Sequence, residues 1–343
     1  MNGLSPIRFP VPTIVWPRRM EQEETDLIEF ELRQEPELVR QKEKSQPFLF
    51  AHQRDAFREL QRTALAFSQT KWWDLSIRPR FDRLLVAPTG TGKTHLVQAL
   101  AEFLKWPFLS ISASNWVLFG CPDRGGKQTW PLIASWLAGG NSFRLLFLDE
   151  LDKVSGDDTW SRHLRTELYN LLDRTIPPGL QFDGSGDGEE HVIDAPKIRR
   201  TKSLYTLRFR TLILGGAAFQ DAWEERRVKR AGFHLVDDPG EPPTHDDLTS
   251  HLPRELLNRF GPLVVMRPLA ESDYEKLLAE AVRCIPDGLR ENFLRIGRKA
   301  APAACRDGKG ARFIEEVLTN ALIDTLPRKL QEKRQKSVRL SAG

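Results

Sequence analysis

Between a short apolar run, Leu84-Leu85-Val86, and a helix-forming stretch that opens at His95 stands Ala87-Pro88-Thr89-Gly90-Thr91-Gly92-Lys93-Thr94. A glycine-rich segment with a strand before it and a helix after it is a phosphate-binding loop. Gly90 and Gly92 let the backbone curl until successive N–H groups point at one anion, and the following helix adds the positive end of its dipole. Lys93 then reaches the outer phosphates, and the Thr94 hydroxyl takes one position on Mg²⁺. Pro88, Thr89, Gly90, Thr91, Gly92, Lys93, Thr94 and His95 are therefore the candidate nucleotide contacts, with ATP and Mg²⁺ as the implied ligands. Ala87 replaces the first glycine of the usual pattern, a change of one methyl group.

A second segment supplies what such a loop needs for chemistry. Arg144-Leu-Leu-Phe-Leu148 reads as a buried strand and ends in Asp149-Glu150, Asp149 lying 55 residues beyond Thr94. A carboxylate at a strand end beside the loop can hold the water shell of Mg²⁺. The next carboxylate can orient an attacking water toward the γ-phosphate. Asp149 is thus the candidate metal partner of Thr94, and Glu150 the candidate base.

The rest of the chain bounds these readings. With 343 residues there is room for two or three domains and a sizeable core. The three cysteines, Cys121, Cys284 and Cys305, are widely spaced and form no C-x-x-C, which argues against a disulfide framework or a structural zinc. No apolar run approaches the roughly 18 residues that cross a bilayer, and the start of the chain lacks a signal-peptide h-region, so a cytoplasmic location is expected. A net charge of +4 is too small to imply nucleic acid by itself.

Residues 1–49 read as an extension: Pro6, Pro10, Pro12 and Pro17 interrupt regular structure, and an acidic, apolar-poor stretch follows. It is either an assembly arm or a solvated tail. Apolar residues at helical spacing predict an amphipathic helix over 51–69. Strand patterns at 83–87, 107–112, 144–148, 210–215 and 262–266 then alternate with helical ones, which predicts a parallel sheet with helices on both faces and ligand bound at the carboxyl ends of the strands. An insertion at about 177–209 combines Gly179, Gly184, Gly186 and Gly188 with the bases Lys197, Arg199, Arg200, Lys202, Arg208 and Arg210. Two arginines fit opposite a γ-phosphate, where a planar fork that stays charged binds oxygens in pairs. They are Arg259, in Leu252-Pro-Arg-Glu-Leu-Leu-Asn-Arg-Phe260, and Arg312, which opens a final helix predicted over Phe313 to Leu326.

In order along the chain stand APTGTGKT (87–94), LLFLDELDKV (145–154), ELYNLLDRTIP (167–177), LILGGAAF (212–219), LPRELLNRF (252–260) and GARFIEEVLTNALIDTL (310–326). This set resembles the AAA+ ATPases, and within them the ClpX and HslU unfoldases, over roughly 48–327. The resemblance implies a five-stranded P-loop NTPase sheet at 50–268, a small all-helical lid at 269–327 and a basic tail at 328–343. It also implies a ring, usually a hexamer. Lys93 and Thr94 would be the Walker A contacts, Asp149 and Glu150 the Walker B pair, Arg259 a finger acting in trans, and Arg312 the sensor in the lid.

Several segments depart from that family. The strand expected to carry a first sensor ends in Gly215-Gly216-Ala217-Ala218-Phe219, with no polar side chain. The aromatic pore loop has only Trp116-Val-Leu-Phe119-Gly120 in its place, residues that either grip a peptide or pack in the core. Family relatives carry a pore-facing hairpin in the insertion before the sensor, and here that hairpin would be basic, with Tyr205 beside it. Ala231-Gly232-Phe233 is an echo of a protease-docking tripeptide. The leading expectation is a ring-forming ATP-driven motor that unfolds or threads protein, with or without a partner protease. A nucleic-acid motor using residues 197–210, or a scaffold that binds ATP as a switch, are the alternatives. No membrane partner is expected.

Overall fold

The computed structural model describes residues 48–119, 128–180, 195–230 and 242–325. After a single 3₁₀ turn at Ala51–Gln53, helix α1 runs over Arg54–Gln69. The large domain then alternates β1 (Arg83–Val86), α2 (Lys93–Leu104), β2 (Phe108–Ser112), α3 (Thr129–Ala138), β3 (Arg144–Asp149), α4 (Thr159–Leu172), α5 (Ala195–Tyr205), β4 (Thr211–Ala217) and α6 (Gln220–Arg230). Two one-turn helices, α7 (His245–Leu248) and α8 (Arg254–Leu257), precede β5 (Val264–Val265). The five strands are all parallel in the order β2-β3-β4-β1-β5.

Parity along each strand assigns its side chains to two faces. Leu84, Val86, Leu146, Leu148 and Ile213 pack with Trp130, Ile133 and Leu137 of α3 and with Leu164, Leu168 and Leu171 of α4. Leu85, Leu145, Phe147, Leu212 and Leu214 point the other way, onto α1 and α2. The near-continuous apolar run of β3 is what a strand covered on both sides requires, and the expected doubly covered parallel sheet is observed. Helices α9 (Glu271–Ala281), α10 (Asp287–Arg306) and α11 (Arg312–Asp324) close on a separate core around Tyr274, Phe293, Phe313 and Val317. Phe50 packs in that helical core, although its neighbour Leu49 packs on the sheet side. The chain therefore ties the two parts together before α1 begins.

One expectation is corrected here. The segment reaching 209 is not a basic hairpin: residues 195–205 are helix α5, which runs into a π-helical turn at Thr206–Arg210. Ser203 is fully buried and donates to the Ala134 carbonyl of α3 (3.3 Å), so this helix belongs to the packed layer. Arg200 donates to the carbonyls of Ile176 (3.1 Å) and Pro177 (3.3 Å). Arg208 donates to that of Arg174 (3.3 Å), and Arg210 lies over the rings of Phe143 and Tyr205. These cations hold loop carbonyls and rings of their own chain. Gly184, Gly186 and Gly188, the segment 231–233, the first 47 residues and the chain beyond 325 lie outside the described residues.

A buried ion pair fixes the edge of this layer. Arg174, in the left-handed region at φ 60°, grips both carboxylate oxygens of Asp82 at 2.5 and 2.6 Å. It also donates to the carbonyls of Leu207 (3.1 Å) and Thr211 (2.9 Å), while Asp82 accepts from the Ile213 N–H (2.9 Å). The pair thus joins the end of α4, the start of β1 and the entrance of β4. Removing one partner leaves the other charge buried and unpaired. Arg174→Ala should therefore cost about 3–5 kcal/mol of stability, read as a lower midpoint in chemical denaturation, with Arg58→Ala on the surface as the unaffected control.

Candidate functional site

The phosphate loop leaves β1 at Val86 and enters α2 at Lys93. Its two glycines sit at φ 83° and 85°, where a side chain is strained, and neither has room for one. A Cβ on Gly90 would come within 2.5 Å of the Lys309 carbonyl oxygen, and one on Gly92 within 2.4 Å of Gln53 Nε2. Gln53, fully buried, donates to the carbonyls of Thr91 (3.2 Å) and Gly92 (3.3 Å). His52 Nε2 donates to the Thr91 carbonyl at 3.0 Å, which assigns the proton to that nitrogen. The loop's Thr91 and Gly92 carbonyls are thus held from outside by the turn that precedes α1.

Lys93 curls back over the loop, its ammonium donating to the carbonyls of Ala87 (2.6 Å) and Pro88 (3.2 Å). Burial lowers its pKa, while Asp149 and Asp152 act in the opposite direction. The Thr94 hydroxyl donates to Asp149 Oδ2 at 2.6 Å, bringing together two hard oxygen donors from the ends of β3 and the loop. That pair fits Mg²⁺, which keeps most of its waters and takes only one or two protein oxygens beside a substrate phosphate. Among the described residues no three His, Cys, Asp or Glu side chains cluster as a metal cage. Glu150 follows in the left-handed region at φ 59°, with its N–H on Asp149 Oδ1 (2.9 Å). Its carboxylate accepts a short bond from the Ser112 hydroxyl at the end of β2. Hydrogen bonds from Ser112 and then Ser114 hold this carboxyl below the usual carboxylate range.

Lid and loop meet backbone to backbone. The Ala311 N–H donates to the Gly90 carbonyl at 2.7 Å, and a Cβ on Gly310, itself at φ 62°, would lie 2.3 Å from that oxygen. Tyr274 sets this approach: its hydroxyl accepts from the Gly310 N–H (2.9 Å) and donates to the Ala304 carbonyl (3.1 Å). The result is a cavity of about 470 Å³. Thr89, Gly90, Gly92, Lys93, Thr94 and His95 line it with Asp149, Glu150 and Arg312. Its size is that of a small-ligand site. Phe50 and Ile314 add apolar wall suited to a flat base.

Of the residues singled out in the sequence, Arg259 is not in this cavity. It stands beyond α8, where it forms a two-bond fork with Asp173, Nε on Oδ1 at 2.9 Å and Nη2 on Oδ2 at 2.8 Å. Trp116 is core: 3% exposed, with its indole N–H on the buried side of Glu167 (2.7 Å). Phe119 is half-buried, its N–H on the other oxygen of Glu167 (2.6 Å) and its ring against Gly179. The reading of Trp116 as a peptide-gripping residue is therefore corrected, and Gly120 lies outside the described residues. At the end of β4, Asp152 supplies the polar side chain that the Gly-Gly-Ala-Ala segment lacks, accepting from the Ala218 N–H at 3.1 Å. The sequence reading missed Ser112, Gln53 and Tyr274. A serine at a strand end and a glutamine before a helix carry no local signal, and only the sheet order brings Ser112 beside Glu150.

Residues 83–181 match the family model described as ATPase family associated with various cellular activities. The chain is 25% identical over 286 residues to the ATP-dependent Clp protease ATP-binding subunit ClpX 3 of Methylococcus capsulatus, an alignment covering 70% of this chain and 61% of that protein. It is 24% identical over 217 residues to the chaperone protein ClpB of Staphylococcus epidermidis, covering 59% and 21%. A third relative, the Lon protease of Mycoplasma mobile, is 26% identical over 270 residues, covering 67% and 32%. The chain thus spans under two thirds of the length of each of these relatives.

The Ser112 bond yields a pH test. Donors on a carboxylate favour its charged form, so Ser112→Ala should raise the Glu150 pKa toward the ordinary value. The acidic limb of the pH–rate profile for nucleotide turnover should then move to higher pH, and an unmoved limb would show that the serine does not set this group.

Proposed function

We propose that this chain, an AAA+ ATPase related to the Clp family, hydrolyses ATP in a ring of its own copies and uses the cycle to unfold or thread a protein substrate. The observation that carries the reading is one cavity in which phosphate loop, paired acidic residues and lid arginine converge while the second arginine stands outside it. The names of the relatives, an ATP-binding subunit of a Clp protease and a chaperone among them, support a protein substrate and a partner protease.

The chemistry follows from the residues. Loop N–H groups and the dipole of α2 bind the β-phosphate. Lys93 is poised to exchange two neutral carbonyls for phosphate oxygens, a gain in charge–charge attraction. Thr94 with Asp149 is the pair that would hold Mg²⁺, which would neutralise part of the phosphate charge. Glu150 accepts a proton from the water whose oxygen attacks the γ-phosphorus as the bond to the ADP oxygen breaks. Arg312 reports the phosphates to the lid. Arg259 of a neighbouring copy stabilises the charge that develops on the transferred group.

The nucleic-acid alternative rested on the bases at 197–210. Arg200, Arg208 and Arg210 are committed to their own chain, which weakens it. A switch that only binds ATP is disfavoured by the presence of the Glu150 carboxylate in the cavity lining and of Arg259.

Lys93→Ala should abolish ATP binding in a fluorescent-nucleotide titration. Glu150→Gln should bind ATP yet turn it over about 10²-fold or more slowly. Arg259→Ala should also bind and lose about 10³-fold. Mixing the last two proteins should restore turnover at interfaces that pair an intact Glu150 with a neighbour's intact Arg259. No restoration would place the arginine in cis. Turnover should rise with an unfolded protein and not with DNA or RNA, and salt-sensitive stimulation by nucleic acid would reverse the substrate assignment.

A further inference from the structure

Arg259 is held more firmly than a surface arginine needs to be. Besides its fork with Asp173, its Nη1 donates to the Glu255 carbonyl at 2.7 Å, and its guanidinium carbon lies 4.3 Å from the centre of the Tyr169 ring. Tyr169 and Asp173 are four residues apart at the end of α4, so they form one ledge on one helix face. A guanidinium has five N–H donors. Three are taken by Asp173 and Glu255, and the remaining two are left for oxygens of a ligand.

The placement of Asp173 is locally unfavourable. It caps the C-terminus of α4, where the helix dipole repels a carboxylate. The positive charge of Arg259 offsets that repulsion, and the pair is part-exposed, with 48% of the Asp173 side chain and 27% of the Arg259 side chain open to solvent. Such a pair adds little to stability. What it does accomplish is orientation: a long, flexible cation is tied by three hydrogen bonds over an aromatic ring.

We infer that Asp173, with the Tyr169 ring beneath, is a positioning residue that presets Arg259 for the γ-phosphate bound by the adjacent copy. This rests on the trans role proposed for Arg259 and goes beyond it by naming what aims the side chain. Two physical effects of Asp173 have opposite signs. Its negative charge weakens the pull of the guanidinium on a phosphate, so a purely electrostatic role makes removal of the charge accelerate hydrolysis. Its fork fixes geometry, so a positioning role makes removal slow it. Water at this part-exposed site screens the first effect, whereas a misplaced group loses rate steeply with distance.

The experiment uses the full chain at concentrations where turnover per chain no longer rises. Steady-state ATP turnover and fluorescent-nucleotide affinity are compared for Asp173→Asn, Asp173→Glu, Arg259→Ala and the double variant Asp173→Asn/Arg259→Ala. Asp173→Asn should lower kcat about 10- to 30-fold with nucleotide affinity unchanged. Asp173→Glu should recover part of that loss, and the double variant should be no slower than Arg259→Ala alone. Turnover at or above the unmodified level in Asp173→Asn, with Arg259→Ala slow, would overturn the positioning role and leave the arginine's role standing. Multiplying losses in the double variant would overturn it too, by showing that Asp173 acts independently. Full turnover in Arg259→Ala would remove the underlying reading and this inference with it.

Discussion

The contact on which the site depends is a backbone one, between the Gly90 carbonyl and the Ala311 N–H. A phosphate loop on a sheet edge is a shallow cup, and it becomes a cavity only when something covers it. Here the cover is the loop that begins α11, and the two backbone segments approach until Gly310 and Gly90 leave no space for a side chain. Because both glycines are in the left-handed region, neither position accepts a Cβ without strain. Arg312 is delivered into the cavity by this contact rather than by its own length. A ligand that displaced the Gly90 carbonyl would also break its bond to the Ala311 N–H, so the motor proposed above could read occupancy of the loop at this contact.

A second consequence concerns charge. Lys93, Arg312 and Lys153 line the cavity together with Asp149, Glu150 and Asp152, and several of these groups are bonded within the chain. Lys93 is bonded to carbonyls, Thr94 to Asp149 and Glu150 to Ser112. Each of these bonds occupies a group that would face a phosphate, a metal-bound water or a nucleophile. In the proposed chemistry a triphosphate would give Lys93 charged acceptors in place of neutral ones, and Thr94 with Asp149 would hold Mg²⁺.

How much of this the sequence could reveal follows from the range of each interaction. The strands were readable because a doubly covered parallel strand such as Leu145 to Leu148 must be apolar throughout, and the loop because only glycine tolerates the turn it makes. The acidic strand end was readable because β3 ends where β1 does. Other features have no local cause. Ser112 gains its meaning from lying opposite Asp149 in the register of β2 and β3, a fact of sheet order. The bases at 197–210 were expected on a projecting hairpin because relatives in the family that the chain resembles carry one in that insertion. A long cation can equally cap carbonyls exposed by an irregular turn, as Arg200 and Arg208 do. For Trp116 the sequence left grip and core both open, and the choice is made by Glu167 on α4, which accepts from its indole N–H in the core.

The division of the arginines carries the last step. Arg312 shares the cavity with Lys93, while Arg259 is fixed on the ledge formed by Asp173 and Tyr169. A single chain thus holds the groups proposed to bind phosphate, metal and water, and keeps one strong anion-binding group apart from them. Relaxation of the Arg259 side chain alone does not carry it into the cavity, since three bonds and a ring contact oppose it. In the ring proposed above, a neighbour's Arg259 would arrive already fixed on its own ledge, because Asp173 and Tyr169 belong to that neighbour's α4. On that reading, the bonds that hold the arginine apart from its own site would make it a preformed donor for the next one.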